Sequence, residues 1–192
     1  MDEHELKFMI DRDGYEKCLY ALSRLCTFSG RERLIVNYYY DTPDLSLHNS
    51  GITLRVRQCG SELQGQVKRH DKGASTDSSE SYFEVEGLPR FIRFEKKKAE
   101  LLGSLTTVRT SFEIDGMKAE VDRTFYLGKA DYELEIEFPE GEEERARSLA
   151  SSLEVPFLAK RGGKCSRFLK ALRQLKERDV LRAEPGVSDS EL

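Results

Sequence analysis

Charged residues recur at every second position in short stretches of this chain, and they sort by sign. Glu3 and Glu5, Glu84 and Glu86, Glu120 and Asp122, and Glu133, Glu135 and Glu137 form acidic blocks; Arg55 and Arg57, with Lys68 and Arg109, are basic. In a strand, residues i, i+2 and i+4 share one face, so each block is a stripe of one sign. Carboxylates aligned in this way repel one another, a cost that a bound cation or full hydration relieves. Their oxygens are hard ligands suited to Mg²⁺ or Mn²⁺. Guanidinium forks match the oxygens of phosphate. A metal site beside a basic clamp is the equipment of phosphoryl transfer. An ordinary half-exposed sheet would mix its polar residues rather than block them by sign, so the chemical reading is preferred.

Strands must position these residues. Strict alternation or β-branched and aromatic runs predict strands over 3–10, 34–41, 52–58, 63–68, 82–86, 106–115, 118–125 and 132–138. Asp115-Gly116 signals a hairpin. Helical spacing covers 15–26 after a turn at Asp13-Gly14, and helices are expected around 95–103, 142–153 and 165–178. Residues 45–51 read as an irregular connection and 71–81 as a polar loop. If about eight antiparallel strands close into a barrel, every polar side faces one interior with room for a small ligand. No repeat or linker interrupts the chain, so a single domain over 1–178 is expected, followed by a disordered tail over 179–192.

Composition narrows the field. The 192 residues carry a formal net charge of −4, which argues against an overall basic field for nucleic acid. No stretch has the length and apolarity of a membrane span, and Glu3 and Glu5 stand where a secretory leader would be basic. Cys18, Cys26, Cys59 and Cys165 include no C-x-x-C pair and read as reduced thiols of a cytoplasmic protein. Other motifs fail on inspection. Lys164 follows two glycines without the earlier glycine of a phosphate-binding loop, and Phe8 stands where a zinc-binding H-E-x-x-H needs its second histidine. His48 and His70 are isolated, and Tyr38, Tyr39 and Tyr40 read as strand packing.

The blocks occur in an order that resembles the CYTH family, also called triphosphate tunnel metalloenzymes. Glu3-His4-Glu5-Leu6-Lys7 resembles its E-x-E-x-K opening strand, and Leu54-Arg55-Val56-Arg57 with Val67-Lys68 resembles the R-x-R strand and the lysine after it. Phe83-Glu84-Val85-Glu86, Arg109, Glu120-Val121-Asp122-Arg123 and Leu134-Glu135-Ile136-Glu137 resemble the later strands. Lys164-Cys165-Ser166-Arg167-Phe168-Leu169 resembles the K-S-x-R-F stretch of the last helix. The resemblance implies an α+β fold, a closed eight-stranded antiparallel β-barrel with helices packed outside. It implies Mg²⁺ or Mn²⁺ on Glu3, Glu5, Glu135 and Glu137, with Glu133 on the same face. Lys7, Arg55, Arg57, Lys68 and Arg109, joined by Lys160 or Lys164, would bind a triphosphate, and Glu84, Glu86, Glu120 and Asp122 would complete the acidic side. Glu5, Lys7, Arg55, Arg57 and Glu135 would carry the catalysis.

Three functions follow. The leading one is a metal-dependent hydrolase of inorganic triphosphate or a triphosphorylated compound. The second is an adenylyl cyclase, although the His-Phe pair of the family's class IV cyclases has no counterpart before Glu3, where only Met1 and Asp2 stand. The third is a polyphosphate or nucleotide sensor without turnover, which so many carboxylates would weaken. The expected partner is a small triphosphate or nucleotide, not a nucleic acid or a membrane; the oligomeric state is open, a homodimer included.

Overall fold

The computed structural model describes residues 4–26, 28–30, 32–70, 78–159 and 162–183. The chain divides into two compact units, Met1–Lys160 and Arg161–Leu192. The first carries β1 (His4–Ile10), α1 (Arg12–Leu25), β2 (Phe28–Ser29), β3 (Arg33–Asp41), α2 (Ser46–Asn49), β4 (Ile52–Cys59), β5 (Glu62–His70), β6 (Ser78–Phe83), β7 (Phe91–Phe94), β8 (Lys97–Ile114), β9 (Met117–Tyr126), β10 (Lys129–Phe138) and α3 (Glu143–Ser152). The second carries α4 (Lys164–Ala183). Glu3, Lys160, residues 71–77 of the expected loop and residues 184–192 of the expected tail lie outside the described residues.

The ten strands of the described residues join one antiparallel sheet in the order β1-β10-β9-β8-β3-β4-β5-β6, with β2 and β7 paired to β8. This overturns the closed eight-stranded barrel. β1 and β6 end the sheet, and no pairing joins them among the described residues. The outer edge of β1 is met instead by a later segment: Met9 bridges Leu158, whose N–H donates to the Met9 carbonyl at 2.8 Å. A strand edge needs some partner for its backbone groups, and here the chain after α3 supplies one.

The apolar phases make two cores on one side of the sheet. Tyr15, Cys18 and Leu22 of α1 and Ala146, Leu149 and Ala150 of α3 pack with Ile10, Phe112, Val121, Leu134 and Ile136. Asp11 caps α1, its carboxylate accepting from the Gly14 N–H at 2.7 Å, so Asp13-Gly14 opens the helix rather than forming the expected turn. Gly14 is there for closeness, since a Cβ would lie 2.7 Å from Val155 Cγ1. The second core gathers Tyr40, Leu47, Leu54, Val56, Val67 and Ala99.

Two further readings change. Residues 95–103 are not helical: Glu95 and Lys96, with φ of 46° and 64°, make the turn between β7 and β8. The helix-forming composition there yields to strand pairing, which packs Ile92, Phe94 and the buried Ala99 into the second core. Within 45–51, Asp41 nucleates α2 by accepting from the N–H groups of Leu47 and His48, both at 2.9 Å. The Asp115-Gly116 hairpin stands as read, with φ of 49° and 79° between β8 and β9.

Candidate functional site

Register brings the charged stripes together. Lys7 stands opposite Glu135, Glu135 opposite Glu120, and Glu120 opposite Ser111. In the next row Glu133 faces Asp122, Asp122 faces Arg109, and Arg109 faces Arg33. On the other arm Asn37 faces Arg57, Tyr39 faces Arg55, Arg55 faces Gln66, and Lys68 faces Glu80. Like phases pair with like, so all these side chains belong to one face of the sheet.

That face is concealed. Glu120 and Asp122 are fully buried, and Asn37, Gln66, Glu133 and Glu135 nearly so. Burial and the nearby charges of Lys68 and Lys7 lower the proton affinity of His70. Lys7 lies on β1 and His70 on β5, far apart in strand order yet close enough for their charges to act on each other, so the sheet curls its polar face inward.

The acidic arm is built on β1, β9 and β10 around Arg109. The Arg109 guanidinium donates to Asp122 Oδ1 and Oδ2 at 2.7 and 2.6 Å, to Glu135 at 2.8 Å, and to Glu120. Burial alone would lower the Arg109 pKa, but Asp122, Glu135 and Glu120 overcome it and raise it. Lys118 lies 2.7 Å from Glu120 and 3.2 Å from Glu137, and these carboxylates outweigh burial to raise its pKa too. Lys7 lies 2.9 Å from Glu5 and 3.7 Å from Glu135. Arg33, exposed at one margin, lies 3.6 Å from Glu120.

The basic arm is built on β4, β5 and β6. Arg55 donates to Gln66 at 2.8 Å. Arg57 donates to Asn37 at 3.1 Å and has no ion-pair partner among the described residues. Burial, then the charges of Arg55 and Arg109, brings its pKa down to about 10. Lys68 lies 3.3 Å from Glu80, which also lies 3.9 Å from Arg55. Burial raises the Glu80 carboxyl, but Lys68, Arg55 and the Tyr82 hydroxyl outweigh it, and its pKa ends below the ordinary value.

The structure thus brings Glu5, Lys7, Arg55, Arg57, Lys68, Arg109, Glu120, Asp122, Glu133, Glu135 and Glu137 onto one face. Glu84 and Glu86 follow the end of β6 and are exposed. Lys164 is the first residue of α4 in the second unit. Sequence reasoning missed Glu80, Lys118 and Arg33. Glu80 shares the alternating phase of Tyr82 and Glu84, and Lys118 that of Glu120, so spacing carried the signal for both. Arg33 stands one residue before the strand read over 34–41.

All the acidic donors are carboxylate oxygens, the chemistry that suits a hard divalent cation. Among the described residues, no group of three or more acidic, histidine or cysteine side chains converges as a metal-binding cluster. Arg109, Lys118 and Lys7 engage the carboxylates instead. Also among the described residues, no helix is long and apolar enough to cross a membrane.

A family model for the CYTH domain matches residues 1–157, and the chain belongs to that family. No curated protein sequence matches it. Among solved structures it is similar to a candidate adenylate cyclase from Bacillus halodurans (18% identity, TM-score 0.68, covering 88% of this chain and 99% of that one). It is also similar to HpAC1 from Hippeastrum, which has a dominant triphosphatase activity (18% identity, TM-score 0.69, 88% and 95% covered). A third is PH1012 from Pyrococcus horikoshii OT3 (17% identity, TM-score 0.56, 83% and 96% covered). At these identities the likeness is one of fold.

Proposed function

We propose that this member of the CYTH domain family is a metal-dependent triphosphatase, hydrolysing the terminal phosphoryl group of inorganic triphosphate or of a triphosphorylated compound. The observation that carries the reading is Arg57, a partly buried guanidinium set beside two others and, among the described residues, with no carboxylate within ion-pair distance. Such a group is costly unless an anion completes it. Arg55 adjoins it and Lys68 lies beyond Arg55 along the strands, so the anion has several charges along its length. The triphosphatase activity of HpAC1, on a similar fold, points the same way.

In this reading Arg55, Arg57 and Lys68 hold the non-reacting phosphates, and Arg109 and Lys7 turn the terminal one toward the acidic arm. Glu5 and Glu137 stand directly opposite on β1 and β10, each about a third exposed at the side chain, and would hold Mg²⁺ or Mn²⁺ with help from Glu3, Glu133 or Glu135. Bound there, the metal would supply a Lewis acid and a more acidic water. Water attacks the terminal phosphorus, the bond to the bridging oxygen breaks, and orthophosphate leaves. The basic arm stabilises the charge that grows on the bridging oxygen. No Ser-His or Cys-His pair offers a covalent route among the described residues of the face, so direct attack by water is the proposed course.

The test is an assay of purified protein with Mg²⁺ or Mn²⁺, offering triphosphate, ATP and thiamine triphosphate. Orthophosphate release is expected. Cyclic AMP with diphosphate would make the protein a cyclase, and tight binding without turnover under both metals would make it a sensor.

A further inference from the structure

We propose that Glu80 is a specificity-determining residue of this face: its carboxylate occupies the basic arm as an internal stand-in for phosphate and admits only anions charged enough to displace it. The inference rests on the polyphosphate reading given above. Glu80 stands directly opposite Lys68 across β5 and β6. One oxygen, Oε1, reaches both Lys68 Nζ at 3.3 Å and Arg55 Nη2 at 3.9 Å. The other, Oε2, accepts from the Tyr82 hydroxyl at 3.0 Å, which fixes the carboxylate over the two cations. Among the described residues, Arg57 has no carboxylate within ion-pair distance and donates to Asn37 instead. The arm therefore holds its unmatched charge at Arg57 and its matched charge at Lys68 and Arg55.

This asymmetry discriminates by length. A single phosphate on Arg57 gains one cation and meets the Glu80 carboxylate as a like charge, which disfavours it. A triphosphate spanning from Arg57 to Lys68 gains all three cations and replaces the Glu80 oxygen with its own. Because β6 ends the sheet order, Glu80 can withdraw without disturbing a strand beyond it. The acidic pair expected from sequence in this region, Glu84 and Glu86, is exposed and does not fill this role.

The test is calorimetric titration of orthophosphate, diphosphate and triphosphate, without metal, into the wild type, Glu80→Gln, Glu80→Ala, Glu62→Gln and Arg57→Ala. Gln keeps the acceptor for Tyr82 and removes the charge, while Ala shows that the effect does not depend on the substituted amide. Both Glu80 variants should bind orthophosphate and diphosphate about fivefold more tightly, the scale of one partly exposed ion pair. The preference for triphosphate over orthophosphate should shrink accordingly, with Glu62→Gln unchanged as an exposed control. Loss of triphosphate binding in Arg57→Ala, with no tightening in either folded Glu80 variant, would overturn the role of Glu80 alone. Undiminished triphosphate binding in Arg57→Ala would overturn the polyphosphate reading and this inference with it.

Discussion

Two arginines of one face do opposite work. Arg109 is bound by three carboxylates, two of them fully buried, so removing it strands charge inside the protein. Arg109→Met should cost on the order of 3–5 kcal/mol in urea unfolding, the cost of breaking a buried ion pair from one side. Arg57 is held in its charged form against burial and two neighbouring guanidinium groups. Arg57→Met should therefore melt at the wild-type temperature or above, yet lose about tenfold to a thousandfold in kcat/KM for triphosphate, as loss of one preorganised donor does. Equal destabilisation of the two variants would contradict this division. Glu80 adds a pH dependence. Its carboxyl titrates below the ordinary value of 4.5 when folded, so the unfolded chain takes the proton first as pH falls. The stability from Glu80 is complete above that value and is lost as pH drops through the folded pKa. Melting curves across this range should fall less steeply for Glu80→Gln than for the wild type.

At the level of elements, alternation carried most of the information. The phase of Glu133, Glu135 and Glu137 against Leu134 and Ile136 placed the acidic stripe on the correct side of its strand, because a period of two leaves a half-buried strand no other register. The β7–β8 turn was not legible, since Glu-Lys-Lys-Lys-Ala-Glu favours a helix locally and only the partner strand decides otherwise. Nor was the open edge of β1, because its partner, Leu158, is distant in sequence. The start of β6 was hidden in a serine-rich stretch, and Glu80 was hidden with it. Gly65 on β5 holds that strand pair together: an added Cβ would strike the ring of Phe83 on β6. Gly65→Ala should cost about 1–3 kcal/mol through overpacking and, by shifting β6, loosen the Glu80–Lys68 pair. A variant as stable as the wild type would show that β6 adapts freely.

At the scale of the whole molecule, a chain of net charge −4 gathers Arg55, Arg57, Lys68 and Arg109 on the face that also holds its buried carboxylates. On the proposed reading, an acidic arm and a basic arm on one inward face would bind metal and polyphosphate as partners. The free energy each contributes to the other's binding must then be reciprocal. The direct test is calorimetry of Mn²⁺ binding in the absence and presence of a slowly hydrolysed triphosphate analogue, repeated with Arg57→Ala and Glu5→Gln. The account predicts that the analogue tightens Mn²⁺ binding by at least about tenfold, within the usual range of coupling between sites, and that either substitution abolishes the gain. Identical Mn²⁺ affinity with and without the analogue, in a wild-type protein that binds both, would contradict it.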